Sequence, residues 1–155
     1  MKTFWRSVLG TMVWNIEVAN ALSPLAMIAV RAILAYVFFT SGILKLPAGF
    51  LGIGEGDWES TLYLFQTDYA NPLLSPLVSA YLGTGVEIIA PILLVLGLGT
   101  RIAAAAIFVT ALMIEFTYQH NLEHAYWAIL SFVLIAHGGG AISLDKLLFR
   151  LFLRK

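Results

Sequence analysis

The sequence predicts an all-α integral membrane protein, a four-helix bundle with amphipathic interfacial helices at its edges. Of its 155 residues, 60% are apolar and 12% charged, where a soluble domain carries about 25% charged residues. Mean hydropathy is +0.88. Four apolar stretches are long enough to cross a bilayer, which takes roughly 20 helical residues. The remaining polar chain is too short to cover four such stretches as a soluble core. Formal net charge is zero, so nothing points to nucleic acid or an acidic polymer as partner. The chain has no cysteine, which excludes disulfides, thiol relays and thiolate metal sites within it.

Residues 1–23 have the outline of a signal peptide, with Lys2, Arg6 and an Ala19-Asn20-Ala21 run. Asn15 and Glu17 interrupt the apolar part, which argues against that reading. Trp5, Val8, Leu9, Met12, Val13 and Ile16 recur at helical spacing and predict an amphipathic helix on the membrane surface. Residues 24–142 form the spanning domain, with spans at about 24–46, 73–98, 102–119 and 125–142.

Between the first two spans, residues 47–72 form an outer segment. Gly49, Gly52, Gly54 and Gly56 make its start irregular. Asp57 then caps a short helix with Trp58, Leu62, Phe65 and Tyr69 on one apolar face. Residues 143–155 form a basic amphipathic tail opened by Ser143-Leu144-Asp145. There Leu144, Leu147, Leu148, Leu151 and Phe152 oppose Lys146, Arg150 and Arg154, a pattern suited to an anionic leaflet.

Orientation follows from the basic residues. Lys2 and Arg6 precede the first span, Arg101 follows the Gly97-Leu98-Gly99-Thr100 turn, and Lys146, Arg150, Arg154 and Lys155 follow the last span. The other two connections carry Glu55, Asp57, Glu59, Asp68 and Glu123. Both termini are therefore placed in the cytoplasm. Spans one and three also echo each other: Arg31, Phe38, Thr40 and Lys45 recur as Arg101, Phe108, Thr110 and Glu115 at the same intervals.

Five ionisable residues lie in or beside the spans: Arg31, Lys45, Glu87, Glu115 and His137. Charge is expensive in hydrocarbon, so each needs a partner or a function. Glu87 lies near the middle of a span whose Ala80, Gly83, Thr84, Ala90 and Pro91 let neighbouring helices come close. Depth counting at about 1.5 Å per residue pairs Arg31 with Glu87, and Lys45 with Glu115. Two readings follow. Either these pairs only fix which helices are neighbours, or Glu87 and His137 are the catalytic candidates of a proton-coupled site. In the second case Arg31, Glu87, Trp127 and His137 are the candidates for holding a cofactor, for instance a quinone headgroup.

His137 opens a His-Gly-Gly-Gly run, but no serine elbow accompanies it. The three glycines read as a span end approached by a neighbouring backbone. His120 and His124 stand one helical turn apart with Glu123 alongside. The spacing suits a metal, yet a third convincing ligand is lacking, and no metal site is assigned. Trp127 and Tyr126, with Trp58 and Tyr63, read most simply as an aromatic belt.

The succession RAILAYVFFTSGILKL, GVEIIAPILLVLGLGTR and HGGGAISLD resembles the DoxX family of small four-span bacterial membrane proteins. Arg31, Gly42 and Lys45, then Glu87, then Gly97, Thr100 and Arg101, then Ser143 to Asp145, match its recurring positions. Where the family often has Gly-Pro-Gly near the end of the last span, this chain has Gly138-Gly139-Gly140 after His137. The stretches WESTLYLFQTDYANPLLSP and AYWAILSF are similar to the subset accompanying multinuclear iron oxidases and copper-buffering peptides. The resemblance implies an inner-membrane subunit or accessory of a redox or metal-stress assembly. Its partners would be the bilayer, other membrane or periplasmic redox or metal-handling proteins, and further copies of the chain. The related DoxD branch implies the alternative, a quinone-reactive subunit of a thiosulfate:quinone type oxidoreductase. A carrier or small channel ranks last, because the acids and bases are few and balanced.

Overall fold

A computed structural model describes residues 2–118 and 121–153. Every regular element in it is helical: α1 (Lys2–Ile43), α2 (Trp58–Thr67), α3 (Pro76–Leu96), α4 (Thr100–Thr117), α5 (Leu122–His137) and α6 (Leu144–Leu148). Three helices are long and apolar enough to cross a membrane: α1, through Gly10–Ile43, then α3 and α4. α5 is apolar but has 16 residues. At about 1.5 Å per residue it reaches about 24 Å, less than a hydrocarbon core of about 30 Å. The chain is an all-α membrane protein whose fourth apolar helix is shorter than the sequence pattern suggests. Asn121 caps α5 early and Gly138 stops it, so its length is set by its ends.

The expected surface helix and first span are one element. α1 runs unbroken through 42 residues, with Pro24 inside it. Proline removes one main-chain donor, and the helix continues around the loss. At about 1.5 Å per residue α1 is about 63 Å long, twice what a bilayer core requires. Residues 10–23 are exposed all round, whereas from Arg31 onward α1 alternates buried and exposed positions.

The core lies where α1, α3, α4 and α5 meet, around Leu34, Phe38, Leu94, Ala104, Ile107 and Leu134. Small residues at Ala103, Ala104 and Ala111 let α4 pack closely. Leu-, Ile- and Phe-rich faces on the outside remain exposed, as they must where lipid is the solvent. The two ends of the bundle differ. One, here the acidic end, carries the 44–75 connection and the α4–α5 turn. The other, the basic end, gathers the α3–α4 turn and the chain from Gly138 to α6.

Candidate functional site

At the acidic end Lys45 donates from Nζ to Glu87 Oε2 at 2.6 Å and to Ser41 Oγ at 2.6 Å. Glu87 is 2% exposed and Lys45 7%. Three local features hold this arrangement. α1 and α3 touch at Gly42, where an added Cβ would lie 3.0 Å from the Glu87 carbonyl oxygen. Thr61 of α2 donates its hydroxyl to the Lys45 carbonyl at 2.8 Å, which seats α2 over the pair. Tyr69 lies with its ring centroid 5.9 Å from the ammonium.

The sequence-based pairing is therefore corrected. Glu87 is partnered by Lys45, and Arg31 has no part in it. The Gly42 contact sets Glu87 level with the last turn of α1, three residues from Lys45. Arg31 is eleven residues from Gly42, about 16 Å along the axis. Depth counting from span ends missed this because α1 begins far outside the bundle. Glu115 likewise does not meet Lys45: its Oε2 lies 3.1 Å from His124 Nδ1 and accepts the Asn121 N–H at 3.2 Å.

Arg31 lies at the basic end and is 6% exposed. Its Nε donates to the Leu94 carbonyl at 2.7 Å and Nη2 to Val95 at 2.9 Å. Nη1 donates to Gly139 at 2.8 Å and Ile142 at 2.7 Å. Leu94 and Val95 belong to the last turn of α3, where the helix runs out of its own donors; the Leu94 carbonyl also accepts the Gly97 N–H at 3.1 Å. A guanidinium offers five donors in a planar fork and favours the negative end of a helix dipole. Arg31 thus adds donors beside the Gly97 cap at the end of α3 and ties that end to the chain after α5.

Asp145 performs the reciprocal task. Its carboxylate accepts from the Gly99 N–H at 2.7 Å and the Thr100 N–H at 2.9 Å, capping α4 from another segment. Its own N–H donates to the Gly97 carbonyl at 2.9 Å. The turn it clasps needs left-handed backbone at Gly97 (φ 67°) and Gly99 (φ 56°), which glycine adopts without a Cβ penalty. Burial pushes the Asp145 carboxyl up, but hydrogen bonds from Thr100 and Gly99 and the charge of Arg31 outweigh it and hold the group below its ordinary value.

A cavity of about 520 Å³ opens between α2, α3 and α4. Its wall is apolar, with Phe65, Val86 and Met113 among the lining residues, and Tyr69, Ser79 and Glu87 are polar residues along it. Ser79 Oγ is buried without a hydrogen-bond partner among the described residues. Burial first, then the charges of Glu87, Tyr118 and Asp68, push the Tyr69 phenol up to about 12. It therefore stays protonated and able to donate. The arrangement can hold an apolar molecule that carries a polar head.

The remaining candidates are dispersed. His137 is exposed at the end of α5, its Nδ1 3.1 Å from the Val133 carbonyl, and it lines a different hollow from Glu87. The two catalytic candidates are thus not brought together. Trp127 is half-buried and packs against the core, its ring 5.5 Å from that of Phe38 and 5.0 Å from that of His124. His124 is buried against Glu115, and the side chain of Glu123 is exposed. His120 lies outside the described residues. Among those described, no group of three or more His, Cys, Asp or Glu could hold a metal. Sequence reasoning missed the roles of Ser41, Thr61 and Tyr69 around the pair and that of Asp145 as a cap. Asp145 alone left a trace, in a Ser-Leu-Asp run read as the start of a surface helix.

The family model for DoxX matches residues 26–120, a range that takes in Arg31, Gly42, Lys45, Glu87, Gly97, Thr100 and Arg101. No curated protein and no solved structure matches the chain.

Proposed function

We propose, for a chain that belongs to the DoxX family, that it serves as a membrane subunit or accessory protein of a redox or metal-stress assembly and is not catalytic by itself. It sits in the bacterial inner membrane with both termini in the cytoplasm. One observation carries this reading: the deeply buried charges are spent on holding helices together. Glu87 is taken by Lys45, and Arg31 by four main-chain carbonyls. Such a bundle is a scaffold for partners, and α1 extends well past it. In this reading the part of α1 before Pro24 lies along the leaflet surface, which asks for a bend at that proline.

Purification from native membranes in a mild detergent, with identification of co-purifying proteins, tests this reading. Redox- or metal-handling membrane or periplasmic proteins should accompany the chain in near-stoichiometric amounts. Recovery of the chain alone, from membranes where those proteins are abundant, would contradict it.

A second reading, a quinone-reactive subunit of an oxidoreductase, is favoured by the 520 Å³ cavity with Tyr69, Ser79 and Glu87 in its wall. A quinone has an apolar tail for the lining and carbonyl oxygens for the Tyr69 and Ser79 hydroxyls. When bound, it would supply two-electron redox chemistry; the chain would bind and orient it and exclude water. This reading expects quinone to co-purify and to be lost in a Ser79→Val, Tyr69→Phe double variant that still melts like the parent. Full retention in that variant would remove it.

A further inference from the structure

At the basic end a second hollow, of about 730 Å³, opens between the first turn of α4, the last turn of α5 and the start of α6. Arg101, His137 and Lys146 line it, with Ile102 and Phe149 beside them. Arg31 and the cap it shares with Asp145 do not consume these groups. Arg101 donates one N–H to the Ala136 carbonyl at 3.1 Å and has further donors to spare. The Lys146 ammonium has no acidic or hydrogen-bonding partner among the described residues. His137 Nδ1 faces the Val133 carbonyl at 3.1 Å. A carbonyl only accepts, so that nitrogen carries the proton, and in the neutral ring Nε2 is an acceptor.

The acid in this wall is Asp145. Both its oxygens accept main-chain N–H groups, at 2.7 and 2.9 Å, and Arg31 offsets its charge. Arg101 and Lys146 therefore leave the hollow with an excess of positive charge. Beside it Ile102 is 78% and Phe149 53% exposed, as side chains among acyl chains would be. A basic hollow at the level where helices end, next to an apolar margin, matches an anionic lipid in both its parts.

We propose that this hollow binds the phosphate of an anionic phospholipid with a hydroxylated headgroup. Arg101 and Lys146 hold the phosphate, His137 Nε2 accepts from a headgroup hydroxyl, and the acyl chains run over Ile102 and Phe149. Soluble phosphate offers the same anion without the tails, so the experiment separates the two.

The intact chain is placed in mixed phosphatidylcholine and phosphatidylglycerol, extracted, and the retained lipid is measured by native mass spectrometry. Wild type should enrich phosphatidylglycerol about thirtyfold, the combined effect of two cations at a headgroup. Arg101→Gln with Lys146→Gln should abolish that enrichment at unchanged melting temperature. Arg101→Lys with Lys146→Arg, which keeps both charges, should preserve most of it. Undiminished enrichment in the neutral double variant would overturn the proposal. Displacement of the lipid by excess inorganic phosphate alone would overturn the lipid assignment.

Discussion

The two ends of the bundle solve one problem, a charge inside an apolar protein, with different partners. At the acidic end Lys45 and Glu87 neutralise each other, side chain to side chain, across α1 and α3. At the basic end Arg31 and Asp145 spend their hydrogen bonds on main-chain groups at helix ends. A side-chain pair depends on both members, and removing one strands the other. A side chain on a helix terminus depends on its own geometry, because the carbonyls or amides are supplied by any sequence. The acidic end should therefore be sensitive to charge, the basic end to shape.

The largest effect tests the first half of that contrast. Glu87→Ala leaves the Lys45 ammonium buried without a counter-charge, and loss of one partner of a buried pair costs about 3–5 kcal/mol. Melting in detergent should show a sharp drop. Glu87→Gln keeps an acceptor and should do less harm, and Lys45→Met with Glu87→Leu should lose less than Glu87→Ala alone. Equal tolerance of alanine and glutamine would remove the structural role of the carboxylate.

Next comes Arg31→Lys, which keeps the charge but replaces a planar fork by one ammonium. Four carbonyls cannot all be reached, and the unsatisfied ones should cost about 2–3 kcal/mol in the same melting assay. A lysine variant as stable as the parent would show that charge, not shape, matters at this end.

The smallest effect belongs to Asp145→Asn, at about 1 kcal/mol for a weakened helix cap. It also has a pH signature. The Asp145 carboxyl is held below its ordinary value in the folded chain, so the folded state favours the charged form. That contribution is complete above about pH 4, the unfolded value, and is lost as pH falls through the lower folded value. The parent's stability should fall over this acid range, and the asparagine variant should fall less steeply.

Much of this was legible in the sequence. Apolar stretches with few charges require helices in lipid, and Arg31, Lys45 and Glu87 stand out because hydrocarbon does not accept an unpartnered charge. Their partners were not legible, for two reasons. Which residue of α1 faces Glu87 depends on the Gly42 contact, a register between helices that no single helix records. Arg31 bonds carbonyls, which every residue carries, so nothing in the chain marks them as its targets. Ser143 to Asp145 was visible as a helix start, but its role in capping α4 depends on two segments more than forty residues apart. The amphipathic pattern before residue 24 and the apolar run after it read as two segments, yet one helix carries both, because a helix can lose one bond at Pro24 and continue.

Double-mutant cycles on Glu87 test the central claim most directly, with stability of the detergent-solubilised chain as the readout. One cycle pairs it with Lys45, the other with Arg31. Coupling between Lys45 and Glu87 should be about 2–3 kcal/mol, and between Arg31 and Glu87 no more than about 0.5 kcal/mol, as for groups that share no contact. A strong Arg31–Glu87 coupling with none to Lys45 would contradict the account.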